Sequence, residues 1–374
     1  MENRFFSAPG RVEIGGNHTD HQHGRVLAAA VGLEVTADVR PNGSDTVRLH
    51  NDLYGTEKIE LDTLEPQPEE KGESAALARG VAAWFAKNGY PIGGFDANIS
   101  SSIPIGAGLS SSAAYAVLIG NIFKGLFGAR VSLIGLAQAG QFAENVYFGK
   151  PCGLMDQTAS SFGGLNIIDF ADPQTPLVIP VQADFSGYSL CVVDTGGSHA
   201  DLTPDYAGGP KEMKAIASHF GKDVLRELPA EEFYASIGSL RHLGDRAVLR
   251  AIHFYGDNER VLKQASALER GDMEMFFELV IESGRSSLAY LQNVFSPASP
   301  QQQGLTLALA LSERMLFGTG AWRVHGGGFA GTILAFVPNE LRESYSGQML
   351  DVFGEGCCHF LDIQKEGGRE IIKN

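Results

Sequence analysis

Cysteine is scarce in this chain, and its few cysteines do not have the spacing of a metal or redox site. The 374 residues include four cysteines and no CxxC pair. This argues against the common zinc-binding patterns and indicates reduced thiols, as in a cytoplasmic protein. The sequence also lacks a run of about 18 apolar residues, and its first residues lack the organisation of a signal peptide. We therefore expect a protein that stays in the cytoplasm.

Acidic residues outnumber basic residues in this chain, and this limits the kinds of partner that it can bind. Lysine and arginine total 29, whereas aspartate and glutamate total 44, for a formal net charge of -15. A surface of this sign repels nucleic-acid phosphates and anionic lipid headgroups. The sequence therefore predicts neither a nucleic-acid nor a membrane partner. A nucleotide would need a local pocket built from backbone amides and a few placed side chains.

The length of the chain favours two domains with a cleft between them, because single hydrophobic cores usually stop growing below this size. Apolar residues make up 44% of the chain and charged residues 20%. This ordinary globular composition predicts a chain that folds without a partner. We expect a monomer. A polar, proline-containing segment at 171–180 is the predicted boundary between lobes 1–180 and 181–374.

Hydrophobic periodicity predicts a mixture of strands and helices. Two segments, 74–89 and 113–128, have the apolar spacing of helices, and a longer helical region runs from 203 to 292. Strand-like segments are rich in small and β-branched residues and lie at 25–40, 93–100, 165–170 and, around a glycine loop, 321–338.

The segment PIGAGLSSSAA, residues 104–114, follows a predicted strand and opens a predicted helix. Its glycines can bring backbone amides close to an anion, and the three hydroxyls of 110–112 can cap the helix or contact a phosphate or a magnesium ion. A serine-capped turn would need only one hydroxyl. The segment lacks the GK[ST] ending of a Walker motif, so it predicts a phosphate site of another kind.

Polar residues crowd the glycine-rich segment 8–24, which holds Arg11, Glu13, Asp20 and three histidines. The HxxHxH spacing does not place the imidazoles on one helix face, so we do not predict a metal site. Carboxylate, imidazole and amide groups also suit the hydroxyls of a sugar. This segment therefore predicts a polar ligand site.

Two acids flank a turn in the segment 143–164, and three glycines interrupt the segment 323–338. Glu144 and Asp156 lie on opposite sides of a turn that contains glycine and proline, so we expect them on different elements. Isolated surface acids are usually solvated, and neither residue predicts a function alone. The glycines Gly326, Gly327 and Gly328 either relieve a crowded bend or allow close approach of a ligand.

Together these segments resemble the GHMP kinases, and within them the galactokinase family. PIGAGLSSSAA is similar to the superfamily's phosphate-binding motif, GRVEIGGNHTDHQHG to the galactokinase signature, CGLMDQ to the segment with the catalytic aspartate, and HGGGFAGT to the third motif. The resemblance extends over residues 8–338. It implies an α+β, two-lobed GHMP kinase fold, with a ribosomal-protein-S5-like N-terminal lobe, an α+β C-terminal lobe, and ATP and sugar bound between them.

The resemblance also implies roles for individual residues. Asp156 would be the catalytic base and Arg11 its partner in transfer of the γ-phosphate of ATP to the carbon 1 hydroxyl of galactose. Ser112 and Glu144 would hold Mg²⁺. The implied sugar contacts are Asn17, His18, Asp20, Gly153 and Tyr206. The implied phosphate loop consists of Gly106, Ala107, Gly108, Leu109, Ser110, Ser111, Ser112 and Ala113.

One departure from the family pattern leaves the substrate open. Galactokinases usually read EHTD where this chain reads NHTD, so Asn17 replaces a glutamate that the family uses on the sugar. The amide can still bind a hydroxymethyl group, but the lost charge also removes a reason to reject a carboxylate at carbon 6. A galacturonate kinase is therefore an alternative.

Two other readings also stay open. Some galactokinase relatives are sugar and ATP sensors, but the intact acid, arginine and serine run favour an enzyme. Another GHMP kinase, acting on an isoprenoid or amino-acid alcohol, is disfavoured by the HTD and CGLMDQ segments.

Overall fold

The computed structural model describes residues 3–51, 55–104, 106–197 and 202–372. Ile105 of the predicted phosphate segment and residues 198–201 lie outside these ranges. Within them the chain forms two β-sheets flanked by helices, so the predicted mixture of α and β structure is confirmed. In the described ranges no helix is long and apolar enough to cross a membrane.

The strands of the described ranges are numbered in chain order. They are β1 (Arg4–Gly15), β2 (Arg25–Pro41), β3 (Thr46–Asn51), β4 (Gly55–Glu60), β5 (Phe95–Ser101), β6 (Leu165–Asp169), β7 (Leu177–Pro180), β8 (Tyr188–Asp194), β9 (Ala321–Val324), β10 (Thr332–Pro338), β11 (Cys358–Leu361) and β12 (Arg369–Ile371).

The α-helices are α1 (Ser74–Lys87), α2 (Ser111–Phe127), α3 (Leu133–Phe142), α4 (Met155–Phe162), α5 (Thr203–His219), α6 (Ala230–Ala235), α7 (Ile237–Leu240), α8 (Asp245–Glu269), α9 (Met273–Ser286), α10 (Gly304–Leu316) and α11 (Arg342–Phe353). Two π-helical turns extend α3 and α9, at Ala143–Phe148 and Ser287–Leu291. Short 3-10 turns lie at Asp20–Gln22, Pro68–Glu70, Leu225–Glu227, Arg241–Leu243 and Asn339–Leu341.

The first sheet is centred on the long strand β2, whose small and β-branched residues are mostly buried. The strand order is β12-β1-β2-β5-β3-β4, and β6 joins β2 to β7. Only the β3–β5 pair among these strands is parallel. Helices α1 to α4 pack together, and α2 contacts β1 and β2. Helix α2 is buried over residues 113–123, because its sequence is apolar on nearly every face.

Strand β1 is irregular where it carries the first predicted site residues. Its pairing with β2 shifts register between Pro9 and Arg11 and again between Glu13 and Gly15. Such irregularities bend a strand and re-aim its side chains, and they are common beside active sites. They place Arg11 and Glu13 at the junction between the two sheets.

The second sheet has the antiparallel order β11-β8-β10-β9 and packs against α9, α10 and α11. The chain then returns to the first sheet, where β12 pairs with β1. The predicted division into lobes 1–180 and 181–374 stays a prediction. Strand β12 belongs to the second of these segments, but it lies in the sheet that the first segment forms. The predicted helical region 203–292 is divided by the structure into α5 to α9.

Candidate active site

Arg11 and Asp156 form a close ion pair between β1 and the first turn of α4. Arg11 Nε donates to Asp156 Oδ1 at 2.7 Å, and the Asp156 side chain retains 19% of its exposure. Burial alone would raise the pKa of Asp156. The charge and hydrogen bond of Arg11, together with a hydrogen bond from Ser110, outweigh burial and lower this pKa to about 2. Asp156 is therefore ionised at neutral pH.

Ser110 has a different role from the predicted helix cap. Helix α2 begins at Ser111, and within the described ranges the Ser110 side chain makes no capping bond. Its backbone is left-handed (φ 56°), and its hydroxyl donates to Asp156 Oδ2 at 2.5 Å. Left-handed backbone is uncommon outside glycine. This conformation turns the hydroxyl from the helix end toward the carboxylate.

The phosphate loop lies directly against Arg11. Arg11 Nη1 donates to the carbonyl of Gly108 at 2.6 Å, and the Arg11 amide donates to the carbonyl of Leu109 at 3.1 Å. Gly106 and Gly108 have positive φ, and a methyl group on Gly108 would lie 2.7 Å from Thr332 Oγ1. The first amides of a helix lack intrahelical partners and can bind an anion. The loop and the start of α2 thus present backbone amides of the kind that bind an anion, beside the ion pair.

Ser112 and Glu144 meet as the sequence predicts. The Ser112 hydroxyl donates to Glu144 Oε1, and Glu144 lies in the π-helical turn after α3 with 1% exposure. The other oxygen, Oε2, accepts from the Gln157 side-chain amide and from the Cys152 thiol at 3.1 Å. Helical π-turns are frequent at functional sites.

The Ser112–Glu144 pair has the donor set that suits Mg²⁺. Both groups offer oxygen, and Mg²⁺ is usually held by one or two carboxylates with waters and substrate phosphates. In the described ranges no group of three or more histidine, cysteine, aspartate or glutamate residues could hold a metal ion by itself. The pair therefore fits an ion that is held jointly with a nucleotide.

Three of the predicted sugar residues lie on neighbouring turns and loops, and the fourth, Tyr206, lies in the first turn of α5. Asp20 Oδ1 accepts from the amide of His21 at 2.9 Å, and a side chain on Gly153 would overlap Asp20 Oδ2. The other two residues, His18 and Tyr206, contact the glycine loop 326–328. A ring nitrogen of His18 lies 3.0 Å from the carbonyl oxygen of Gly327. The Tyr206 hydroxyl donates to the carbonyl of Gly328 at 3.0 Å. The absence of a side chain at Gly153 is what allows its segment to approach Asp20.

Asn17, the fifth predicted sugar residue, points into the protein. Its side chain is fully buried. The amide nitrogen donates to Glu13 Oε1 at 2.9 Å and to the carbonyl of Gly326 at 2.8 Å, and the oxygen accepts from Ser287 at 3.1 Å and Asn293 at 2.9 Å. These bonds use the hydrogen-bonding capacity of the amide. A direct contact between Asn17 and a sugar stays a prediction that this geometry does not favour.

A buried ion pair that sequence reasoning missed lies behind Asn17. Arg323 of β9 is fully buried, and it donates to Glu13 Oε1 and to the carbonyl of Ile14, both at 2.8 Å. Burial raises the pKa of Glu13 to about 7, against the opposing effects of Arg323 and Arg11. The signal in the sequence for a role of Glu13 is its spacing, because a residue two positions after Arg11 on a strand lies on the same face as Arg11. The pair joins the two sheets.

His325 was also missed, although it begins the third motif. The Glu13 amide donates to His325 Nε2 at 3.1 Å, so the ring proton lies on Nδ1, which faces Thr332 Oγ1 at 3.0 Å. Burial, together with the charges of Arg11 and Arg323, holds the pKa of His325 well below its usual value. A neutral His325 therefore fixes the hydroxyl that packs on Gly108.

Comparison with known proteins identifies the class first. The family model described as GHMP kinases N terminal domain matches residues 76–164, and the galactokinase galactose-binding signature matches residues 1–41. A crystal structure of mevalonate kinase has the same fold, with a TM-score of 0.66 at 16% identity, and covers 97% of this chain and 99% of that one. The fold is that of the GHMP kinases.

More similar proteins narrow the class. The galactokinase of Thermotoga petrophila is 32% identical over 346 residues, which are 90% of this chain and 93% of the relative, and that of Glaesserella parasuis is 30% identical over 90% and 86%. The crystal structure of Lactococcus lactis galactokinase complexed with galactose has a TM-score of 0.84 at 25% identity, over 99% of this chain and 95% of that one. The chain belongs to the galactokinase family, which confirms the resemblance in its motifs.

Proposed function

We propose that this chain transfers the γ-phosphate of ATP to the carbon 1 hydroxyl of galactose, giving galactose 1-phosphate and ADP. The observation that carries the proposal is the Arg11–Asp156 pair, which Ser110 and the Gly108 carbonyl join directly to the phosphate loop. An ionised acid thus lies beside an anion site. Membership of the galactokinase family, and the galactose in the Lactococcus lactis structure, support a sugar as the acceptor.

Asp156 and Arg11 have separate roles in the reaction. Asp156 orients the sugar hydroxyl and accepts its proton as the oxygen attacks the γ-phosphate. Arg11 keeps the carboxylate ionised, and its bond to the Gly108 carbonyl holds the loop at a fixed distance from the acid. Phosphoryl transfer depends mainly on such alignment and on stabilisation of phosphate charge.

Ser112 and Glu144 would hold Mg²⁺ together with the nucleotide. The bound ion would neutralise charge on the phosphates during transfer. Gln157 and Cys152 fix one oxygen of Glu144, so the other oxygen stays directed at Ser112. These contacts preserve the shape of the site.

A neutral sugar fits the site better than galacturonate. The family glutamate at position 17 is absent, but the Glu13 carboxylate lies 2.9 Å from the Asn17 amide. Glu13 is buried and paired with Arg323, so Asp20 on the adjoining turn is the acid that a sugar carboxylate would meet. A sugar carboxylate directed here would meet like charge, so the structure offers no observation that favours a uronate.

A coupled assay of ADP release tests this function. Galactose, N-acetylgalactosamine, galacturonate and arabinose are each supplied with ATP and Mg²⁺. We expect the highest kcat/KM with galactose. Release of ADP with none of these sugars, while galactose and ATP still bind in calorimetry, would instead support a sensor. A preference for galacturonate would refute the neutral-sugar assignment.

Gly153→Ala is expected to raise the KM for galactose about tenfold with a smaller change in kcat. The new methyl group would overlap Asp20 Oδ2, and the resulting shift of a packed group costs about 1–3 kcal/mol. Gly187→Ala is the matched control, because a methyl group there meets no atom within 4 Å. Steady-state kinetics of both variants check this, and an unchanged KM in Gly153→Ala would remove Asp20 from sugar binding.

Gln157→Leu is expected to raise the Mg²⁺ concentration for half-maximal activity by about 10–100-fold, the scale for lost partners of a metal ligand. The substitution removes the amide that fixes Glu144 Oε2. The control is Gln138→Leu, since that side chain bonds the exposed carbonyl of Gln174. A magnesium titration at fixed ATP checks the prediction. An unchanged half-maximal concentration, at unchanged thermal stability, would contradict it.

A further inference from the structure

Three cysteines form a cluster in the second sheet, outside the candidate active site. Cys191 lies on β8, Cys358 is the first residue of β11, and Cys357 directly precedes that strand. The sulfurs of Cys357 and Cys358 are 3.8 Å apart, and the Cys357 thiol donates to that of Cys358. Because Cys358 pairs with Val193, two residues from Cys191, both side chains lie on one face of the sheet. All three are free thiols.

Only one member of this thiol cluster is accessible. Strand β11 is at the edge of the sheet, and Cys358 is partly exposed. Cys191 is fully buried and Cys357 retains 5% exposure. A reagent that approaches the edge strand would therefore meet Cys358 before the two buried cysteines.

The surroundings also favour the thiolate of Cys358 over that of any other cysteine. A hydrogen bond from the Cys191 thiol, and a weaker one from Cys357, lower the pKa of Cys358 against the effect of burial. Burial raises the pKa of both neighbours. Cys152 is also partly exposed, but burial and the adjacent Glu144 carboxylate raise its pKa. Thiolate character and access together determine reactivity.

We propose that Cys358 is a thiol-modification site that reacts with small-molecule disulfides to form a stable mixed disulfide. The Cys358 thiolate attacks one sulfur of the disulfide, a new Sγ–S bond forms, and the old S–S bond breaks. The second half leaves as a thiolate that takes a proton from water, so the cysteine is oxidised as one molecule of small thiol is released. The proposal does not depend on the kinase activity.

The neighbouring thiols are poorly placed to displace the adduct. A disulfide usually needs Cα atoms about 4.4–6.8 Å apart. Adjacent residues such as Cys357 and Cys358 are only about 3.8 Å apart along the chain. Cys191 is a diagonal neighbour across the strand pair, at about 7–8 Å. Closing either internal disulfide would require β11 to move, so the mixed disulfide should persist.

Glutathione disulfide is the probe that tests this inference. The native full-length protein is incubated with it, and the products are followed by intact mass and by peptide mapping without reductant. We expect one glutathione per chain, at Cys358, and none in Cys358→Ser. Cys152→Ser is the matched control and should react like the unaltered protein. Cys191→Ala should react several-fold more slowly, because it loses the main hydrogen bond to the thiolate.

Three results would overturn the proposal. The first is modification of Cys152 before Cys358, and the second is an internal disulfide within the thiol cluster in place of the adduct. The third is that the native protein forms no adduct although the urea-unfolded protein reacts at all four cysteines. The unfolded control separates a protected thiol from an inactive reagent. A folding defect of Cys358→Ser would not affect the test, because the site is mapped in the unaltered chain.

Discussion

Asp156→Asn is expected to lower kcat by about 10²–10⁴-fold, the range for loss of a general base. The amide cannot accept the proton of the sugar hydroxyl, yet it retains the shape that Arg11 and Ser110 contact. Sugar binding should therefore change little. Steady-state kinetics with galactose measure the rate, and calorimetric titration measures the dissociation constant.

Asp172→Asn is the control for this substitution, because Asp172 lies on an exposed turn and bonds Gln174 and Thr175 locally. A rate within a few-fold of the unaltered protein in Asp156→Asn would remove Asp156 from the mechanism. The pH profile offers a second check. Since the pKa of Asp156 is lowered to about 2, the acid stays ionised from pH 5 to 8, and its titration should not limit kcat/KM in that range.

The local motifs of the site could be predicted from the sequence. Ser112 and Glu144 meet, Arg11 meets Asp156, and the glycine-rich segment leads into α2 as expected. The Arg11–Asp156 pair joins residues 145 positions apart, and it and the Ser112–Glu144 pair were implied by the resemblance to the galactokinase family. The glycine-rich loop depends on a short segment whose residue types have few structural alternatives. The two helices at 74–89 and 113–128 were predicted for a similar reason, because their apolar positions repeat within the element.

The directions of individual side chains could not be predicted in the same way. Asn17 points inward because the irregular end of β1 and the following turn bring it against Ser287 and Asn293, about 270 positions further along the chain. The Ser110 side chain does not cap α2, because its left-handed backbone turns the hydroxyl toward Asp156. The return of β12 to the first sheet likewise depends on pairing between the two ends of the chain. No local pattern carries such long-range contacts.

Asn17→Glu is expected to lower the free energy of unfolding by about 3–5 kcal/mol, the scale for an uncompensated buried charge. The longer side chain would replace the donor that satisfies Glu13 Oε1 and the Gly326 carbonyl with a second carboxylate. It would also enter a fully buried position. Chemical denaturation at pH 7 measures the loss, and galactose kinetics show whether the folded fraction still turns over.

Adding Glu13→Gln should recover much of this stability. The new amide can donate to the carboxylate at position 17, and its oxygen can still accept from Arg323, so one acid and one amide are again paired. Glu13→Gln alone should change the stability at pH 7 less than Asn17→Glu does, because burial raises the pKa of Glu13 and already disfavours its charged form. The two substitutions are therefore coupled, and the double variant should be more stable than the sum of the single changes predicts. Additive losses would show that positions 13 and 17 do not act as a pair.

The pH dependence of stability gives an independent test of the same pair. The pKa of Glu13 is raised to about 7 in the folded protein, so the folded state binds a proton more tightly than the unfolded state does. The contribution of this group is fully present below its ordinary pKa and is lost as the pH rises through about 7. Glu13→Gln cannot titrate, so its stability should fall less between pH 5 and 8 than that of the unaltered chain. Equal slopes in denaturation series over this range would mean that Glu13 is ionised throughout and that Arg323 fully compensates for its burial.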